Sequence, residues 1–239
     1  MATATVRHRD LGKAAALAIR ARILSGDLQP GQRLVESQLA TELGTSRGPV
    51  RDALTHLAGR GLVTMQPRRG CWVTTITVRD VSEIYALRRH LECVALRHVV
   101  DGQEQVGPLV AALRGRLDDM EQAQRCERHL DIGLADMALH RSIVEASGYS
   151  RVLEAWDRVG DETLLLMTQL SLADSTRHGP SGDHAGIVDA IEQRDSDLAV
   201  GLLERHLLRA EGVINESLRS APPSPIGALT DASTNQPRG

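Results

Sequence analysis

The chain has 239 residues, 41% hydrophobic and 25% charged, a normal composition for one large or two ordinary folded domains. Its net charge of −3 hides a division: residues 1–75 carry 11 basic against 5 acidic side chains, and residues 76–239 carry 17 against 26. A basic head on an acidic body points to a polyanion partner for the head alone. Cys71, Cys93 and Cys126 are too few and too scattered for a disulfide framework or a zinc knuckle. No apolar run approaches the ~18 residues of a membrane span. The charged N-terminus lacks the apolar core of a secretory leader, so a cytoplasmic protein with no membrane partner is the expectation.

In chain order, helical spacing predicts a first helix over about 12–24, with Ala15, Leu17, Ile19 and Ile23 among its apolar positions. The turn-rich link "SGDLQPGQRL" follows, then a short helix over 35–43. Gly44 and Thr45 break the pattern before a helix in which Val50, Leu54, Leu57 and Ala58 share one face. Two β-like runs, 62–65 and 71–75, flank "QPRRG" and predict a hairpin with Pro67 and Gly70 at its tip. From Val78 the pattern is helical throughout, at about 78–101, 106–124, 127–147, 149–173, 183–194 and 196–219. The expectation is a mainly α protein in three parts: a winged helix-turn-helix domain over 1–76, an all-α domain over 77–220, and a Pro- and Ser-rich disordered tail over 221–239.

The helix after Gly44 opens with Arg47 and Arg51, four residues apart on one face. A helix N-terminus carries partial positive charge and free N–H groups, so cations there are disfavoured unless something negative faces them. In a helix-turn-helix the second helix enters the major groove N-terminus first, where phosphates and base edges supply that charge. Arg47 and Arg51 are the expected base or phosphate contacts, and Ser46 with the free N–H groups is expected to hold a phosphate. Pro49 is tolerated in a first turn that needs no N–H bonds. Arg68 and Arg69, at the hairpin tip, are expected at the flanking backbone or minor groove.

In the all-α part, three helices put polar residues on apolar faces. Asp136 and His140 lie four apart beside Ile132, Leu139 and Ile143. His184 shares a face with Ile187, Val188 and Ile191, and His206 with Ala199, Leu202, Leu203 and Ala210. Burying an acid and three histidines without partners would cost several kcal/mol. A divalent metal, or a set of hydrogen bonds within the core, would relieve that cost. Arg88 either binds an effector carboxylate or pairs with Glu92 one turn on.

The segment from Ile23 to Val73 resembles the DNA-binding domain of the GntR superfamily of bacterial regulators. The resemblance is carried by Pro30, Gly31, Leu34 and Glu36; Leu39 and Ala40; Ser46, Arg47, Pro49, Val50, Arg51, Ala53 and Leu54; Leu57, Gly61 and Leu62; and Arg69, Gly70 and Val73. It implies DNA contacts at Arg33, Ser46, Arg47, Pro49, Arg51 and Gly70. Gly48 departs from it, where threonine is common, as do Cys71 and Trp72. The body is similar to the FCD ligand-binding domain of FadR-like regulators, an antiparallel helical bundle, through Arg88, Leu91 and Glu92, through "DMALH", and through "DHAGIVDAIEQRDSDLAVGLLERHL". That likeness implies a metal held by Asp136, His140, His184 and His206. Tyr149 and Leu139 depart from it, where asparagine and phenylalanine are usual.

The expectation is a transcriptional regulator, a repressor by preference, that reads a palindromic double-stranded operator as a homodimer. It binds one divalent transition metal per chain, zinc before nickel, manganese or iron, and a small organic acid effector anchored by Arg88. The alternatives are a metal sensor with no organic ligand and a metal-dependent hydrolase. The hydrolase ranks last, because no general base stands beside the four ligands and an enzyme has no use for the Arg47 and Arg51 helix.

Overall fold

The computed structural model describes residues 2–102, 106–173 and 183–220; the predicted tail over 221–239 lies outside them. The head is built from α1 (Ala2–Leu24), β1 (Arg33–Leu34), α2 (Glu36–Glu42), α3 (Arg47–Gly59), β2 (Val63–Gln66) and β3 (Gly70–Val73). α1 begins ten residues before the predicted start, because Gly12 does not break it. A Cβ at Gly12 would stand 3.6 Å from Asp52 Cβ and 3.8 Å from the Pro49 carbonyl, ordinary contact distances, so this glycine lies on the face of α1 that packs on α3. Ile19 and Ile23 of α1 then meet Val50, Leu54 and Leu57 of α3 in a core where each is 1% exposed or less. Burying a side chain of this size contributes roughly 1.5–3 kcal/mol.

The hairpin forms as predicted in kind, with a register of Val63 opposite Val73 and Gln66 opposite Gly70. Arg68 at its tip adopts φ 62 and Gly70 φ 129. The former conformation is uncommon for a side-chain-bearing residue, and the latter suits glycine. β1 joins on the other side of β3, pairing Arg33 with Trp72 and Leu34 with Cys71, so the sheet order is β1-β3-β2. Two residues are too short to show a strand's alternation, so this strand reads as part of the link in the sequence.

The body comprises α4 (Val78–Gly102), α5 (Gly107–Arg125), α6 (His129–Ala146), α7 (Ser150–Ala173), α8 (His184–Glu192) and α9 (Ser196–Ser220). α4 packs on α9, α7 and α6; α5 packs on α6 and α8; α8 packs on α9. Arg89 of α4 bonds Glu211 and Arg97 bonds Asp197, so α4 and α9 run in opposite directions. Of the inward faces predicted for α6, α8 and α9, Leu139, Ile143, Ile187, Val188, Ile191, Ala199 and Leu203 are inaccessible, Ile132 is buried, and Leu202 and Ala210 are only partly buried. No helix among the described residues is long and apolar enough to cross a membrane.

Head and body meet along α7. Thr168 Oγ1 donates to the Leu24 carbonyl at the end of α1 (3.0 Å), and Gln169 Oε1 accepts from Ile76 N in the connecting coil (2.8 Å). Gly61, at φ 75 just past α3, leaves no room for a Cβ, which would overlap the Glu162 side chain of α7.

Candidate metal centre and nucleic-acid interface

Four body residues converge on one point. Asp136 and His140 sit one turn apart on α6, His184 opens α8, and His206 lies midway along α9. One ligand atom from each lies within 4.8 Å of every other. His184 Nε2 is 3.0 Å from Asp136 Oδ1 and 3.4 Å from His140 Nε2. The His184 and His206 ring centres are 4.2 Å apart, and those of His140 and His206 5.2 Å. Burial and the neighbouring histidines push His206 down to about 2, which leaves its imidazole neutral with a lone pair to donate. Burial works to raise Asp136, but the His184 hydrogen bond and nearby positive charge hold it below the usual carboxylate range. Three imidazoles and one carboxylate are a donor set suited to zinc, nickel, manganese or iron, so the residues fit the metal that the resemblance implies.

The cluster rests on a buried carboxylate behind it. Glu92, fully buried on α4, accepts three hydrogen bonds. Arg88 Nε reaches Oε1 at 2.8 Å, Trp156 Nε1 of α7 reaches the same oxygen at 2.9 Å, and His140 Nδ1 meets Oε2 at 2.6 Å. Burial works to raise the Glu92 carboxyl, but the charge of Arg88 and then of His140 outweighs it and holds it at about 2. Because Glu92 takes Nδ1, it turns Nε2 of His140 toward Asp136 and His184, as a carboxylate orients a metal-ligating histidine. The sequence offers Glu92 only as a rival explanation for Arg88. Its bonds to His140 and Trp156 join positions too far apart for local spacing to mark; Arg88 and Glu92 one turn apart are the signal the sequence carries.

Arg88 makes the Glu92 pair and still keeps a free donor. Among the described residues, the buried side-chain polar atoms with no hydrogen-bond partner are Arg88 Nη2 and Asn215 Oδ1. An orphaned guanidinium N–H in a core costs free energy unless something fills its place. Of the two body departures, Tyr149 stacks on His98 at 4.3 Å near the surface, and Leu139 is sealed in the core.

In the head, Ser46 precedes α3 in an extended conformation and its hydroxyl makes no cap hydrogen bond. Ser46, Arg47, Arg51, Arg68, Arg69 and Gly70 are all exposed, so α3's first turn and the wing form an open face. Arg51 is already occupied: Nε and Nη2 bond Glu36 Oε1 and Oε2 of α2 at 3.1 and 2.9 Å. Arg33 donates Nη2 to the Arg69 carbonyl at 3.3 Å and lies over the Trp72 ring, bracing the wing. Pro49 differs from the expectation of a DNA contact: it is buried on the same face as Val50, Ala53 and Leu54, against α1.

Two family models match the chain. Residues 11–73 match the bacterial regulatory proteins of the gntR family, and residues 83–209 match the FCD domain. A helix-turn-helix transcriptional regulator of Streptomyces ambofaciens is 30% identical over 225 residues, 91% of this chain and 89% of its own length. The gluconate operon transcriptional repressor of Bacillus licheniformis is 27% identical over 210 residues, 86% of this chain and 85% of its own. A solved GntR transcriptional regulator from Rhodococcus sp. RHA1 superposes with a TM-score of 0.74 at 26% identity, covering 88% of this chain and 99% of that one.

Removing the Glu92 charge strands Arg88 in the core. Glu92→Gln is expected to lower the unfolding free energy by about 3–5 kcal/mol, read by urea denaturation. In the unaltered chain the Glu92 carboxyl lies at about 2 against an ordinary 4.5. Its contribution to stability is therefore complete above about 4.5 and is lost as pH falls through that range toward about 2. The stability difference between wild type and Glu92→Gln should shrink over the same interval, and a constant difference would contradict the assignment.

Proposed function

The chain belongs to the gntR family of bacterial regulatory proteins and carries an FCD domain, and from that premise we propose that it is a metal-loaded, effector-responsive regulator of transcription. DNA binding and transcriptional regulation belong to it as a member of that family. The observation that carries the further reading is the convergence of Asp136, His140, His184 and His206 within 4.8 Å in a body joined to a DNA-reading head.

The working division is a DNA-binding domain over 1–76 and an effector and dimerisation domain over 77–220. At the head, Arg47 and Arg51 read base edges from the start of α3. Ser46 and the free N–H groups take a phosphate, and Arg33, Arg68, Arg69 and the Gly70 backbone serve the flanking strand. Pro49, being buried, is left out of that set. In the body the metal, zinc by preference, supplies a positive centre that attracts a carboxylate. Arg88 Nη2 donates to the effector carboxylate, while Glu92 fixes the guanidinium and the His140 ring. A sugar acid or another small organic acid fits that chemistry, and the relative that represses a gluconate operon points the same way. A differential binding energy of about 1–3 kcal/mol between two arrangements of the heads suffices for a many-fold change in operator affinity. The second reading, a metal sensor without organic ligand, is favoured by the closed Arg88–Glu92 pair, which already neutralises the arginine.

One recognition helix reads few base pairs, so two copies on a palindrome are the expected form. α4 offers a face for the second copy. Leu87 and Val94, seven residues apart, are 52% and 55% exposed. An antiparallel pairing of two α4 helices would set Leu87 against Val94 of the other copy, giving the pair an apolar centre.

Three outcomes test this reading. On a duplex selected from a random pool by the wild-type chain, Arg51→Ala should bind roughly 10- to 100-fold more weakly, with far less loss on random DNA. Equal losses on both would mean phosphate contact alone. Val94→Arg should turn a dimeric mass in solution into a monomeric one, and a wild-type mass of one chain would defeat the dimer. His184→Ala combined with His206→Ala should abolish stoichiometric zinc in metal analysis and any response of DNA binding to added organic acids, with DNA binding kept. Retained metal would sink the metal site, and a zinc response without any acid response would select the second reading.

A further inference from the structure

The head rests on α7 through ion pairs as well as through its end contacts. Asp161 is 2% exposed and takes two guanidinium groups from the head. Arg20 of α1 reaches Oδ1 through Nε at 3.0 Å and Nη2 at 2.7 Å, and Arg60, the residue closing α3, reaches Oδ2 through Nε at 2.6 Å. One turn earlier, Asp157 meets Arg60 Nη1 at 3.5 Å and Arg141 Nε of α6 at 3.0 Å. Arg141 directly follows His140 and donates its Nη1 to Glu145 at 2.8 Å. These pairs bound an open cleft of about 860 Å³, lined also by Gly12, Lys13 and Leu17 of α1 and by Asp52 and His56 of α3. On this side the head is tied to the body by direct ion pairs that flank the open cleft.

We propose that Asp161 and Asp157 are positioning residues for DNA binding, forming an ionic clamp that sets the attitude of the head on the body, and that Arg141 ties this clamp to α6. A buried carboxylate shared by two arginines fixes two helix ends of the head at once, since each guanidinium has a set direction of approach. Asp157 is shared between Arg60 of the head and Arg141 of the body. A displacement of α6 changes how Asp157 divides between them, and so the hold on the end of α3. The part played by Arg141 rests on α6 being the metal-bearing helix; the clamp itself does not.

Hydrogen–deuterium exchange of the full chain tests the clamp. Asp161→Asn should speed exchange several-fold at residues 18–26 and 58–62 while leaving α2, α8 and α9 unchanged, and Asp161→Glu should restore protection. On a duplex selected by the wild-type chain, Asp161→Asn should bind roughly ten-fold more weakly and hold its affinity for random DNA. Unchanged exchange at both segments, or equal acceleration throughout the head, overturns the clamp. For the link, zinc ion is added to chelator-treated protein. In the wild type, exchange should change in α6 and at 58–62; in Arg141→Met the first change should persist and the second vanish. A change at 58–62 that survives Arg141→Met, or one that never leaves α6, overturns the link. Absence of zinc uptake overturns the metal reading and the link together, while the Asp161→Asn result still decides the clamp.

Discussion

A single buried carboxylate, Glu92, organises the body. It stands where α4 meets α6 and α7 and binds a residue from each: Arg88 of its own helix, His140 and Trp156. An isolated charge in such a place would cost far more than a folded domain's net stability. Each partner is therefore a condition of the others. Arg88 is tolerable in the core because of Glu92, and Glu92 stays ionised because of Arg88 and His140. The His140 ring is oriented because Glu92 occupies its far nitrogen. Pulling one member out leaves the rest exposed to the desolvation that the set was avoiding.

That arrangement gives the two halves of the molecule different characters. The head has an ordinary apolar core under a basic outer face. The body has an apolar core pierced by a polar column from Arg88 through Glu92 and His140 to Asp136, His184 and His206. A column of this kind adds little stability over a well-packed apolar core and demands strict geometry.

Much of this was legible in the sequence because the signals were periodic. Asp136 and His140, one turn apart on an apolar face, announced a pair, and His184 and His206 stood among residues that had to point inward. The wing was legible from "QPRRG" between two β-like runs. What escaped was whatever depends on residues far apart in the chain. Glu92 reaches His140 across 48 positions and Trp156 across 64, and Asp161 reaches Arg20 across 141. No local pattern marks such pairs. β1 was too short to have a pattern, and α1 runs on past Gly12, where one glycine within a helix is no certain stop. Pro49 was placed by likeness on the DNA face, whereas the helix turns it inward.

The bidentate pair between Arg51 and Glu36 has a consequence for how the protein would travel along DNA. With its charge matched by a neighbour, Arg51 lends little to the indiscriminate attraction of a basic surface for phosphate, and the nearby carboxylate repels the backbone. In the proposed binding mode the head's grip on unrelated sequence would be looser by about one counterion's worth of salt dependence. A looser grip means shorter pauses and quicker scanning. In the proposed reading, a guanine edge presenting two acceptors would take the place of both carboxylate oxygens at once, and the arginine would change partners there.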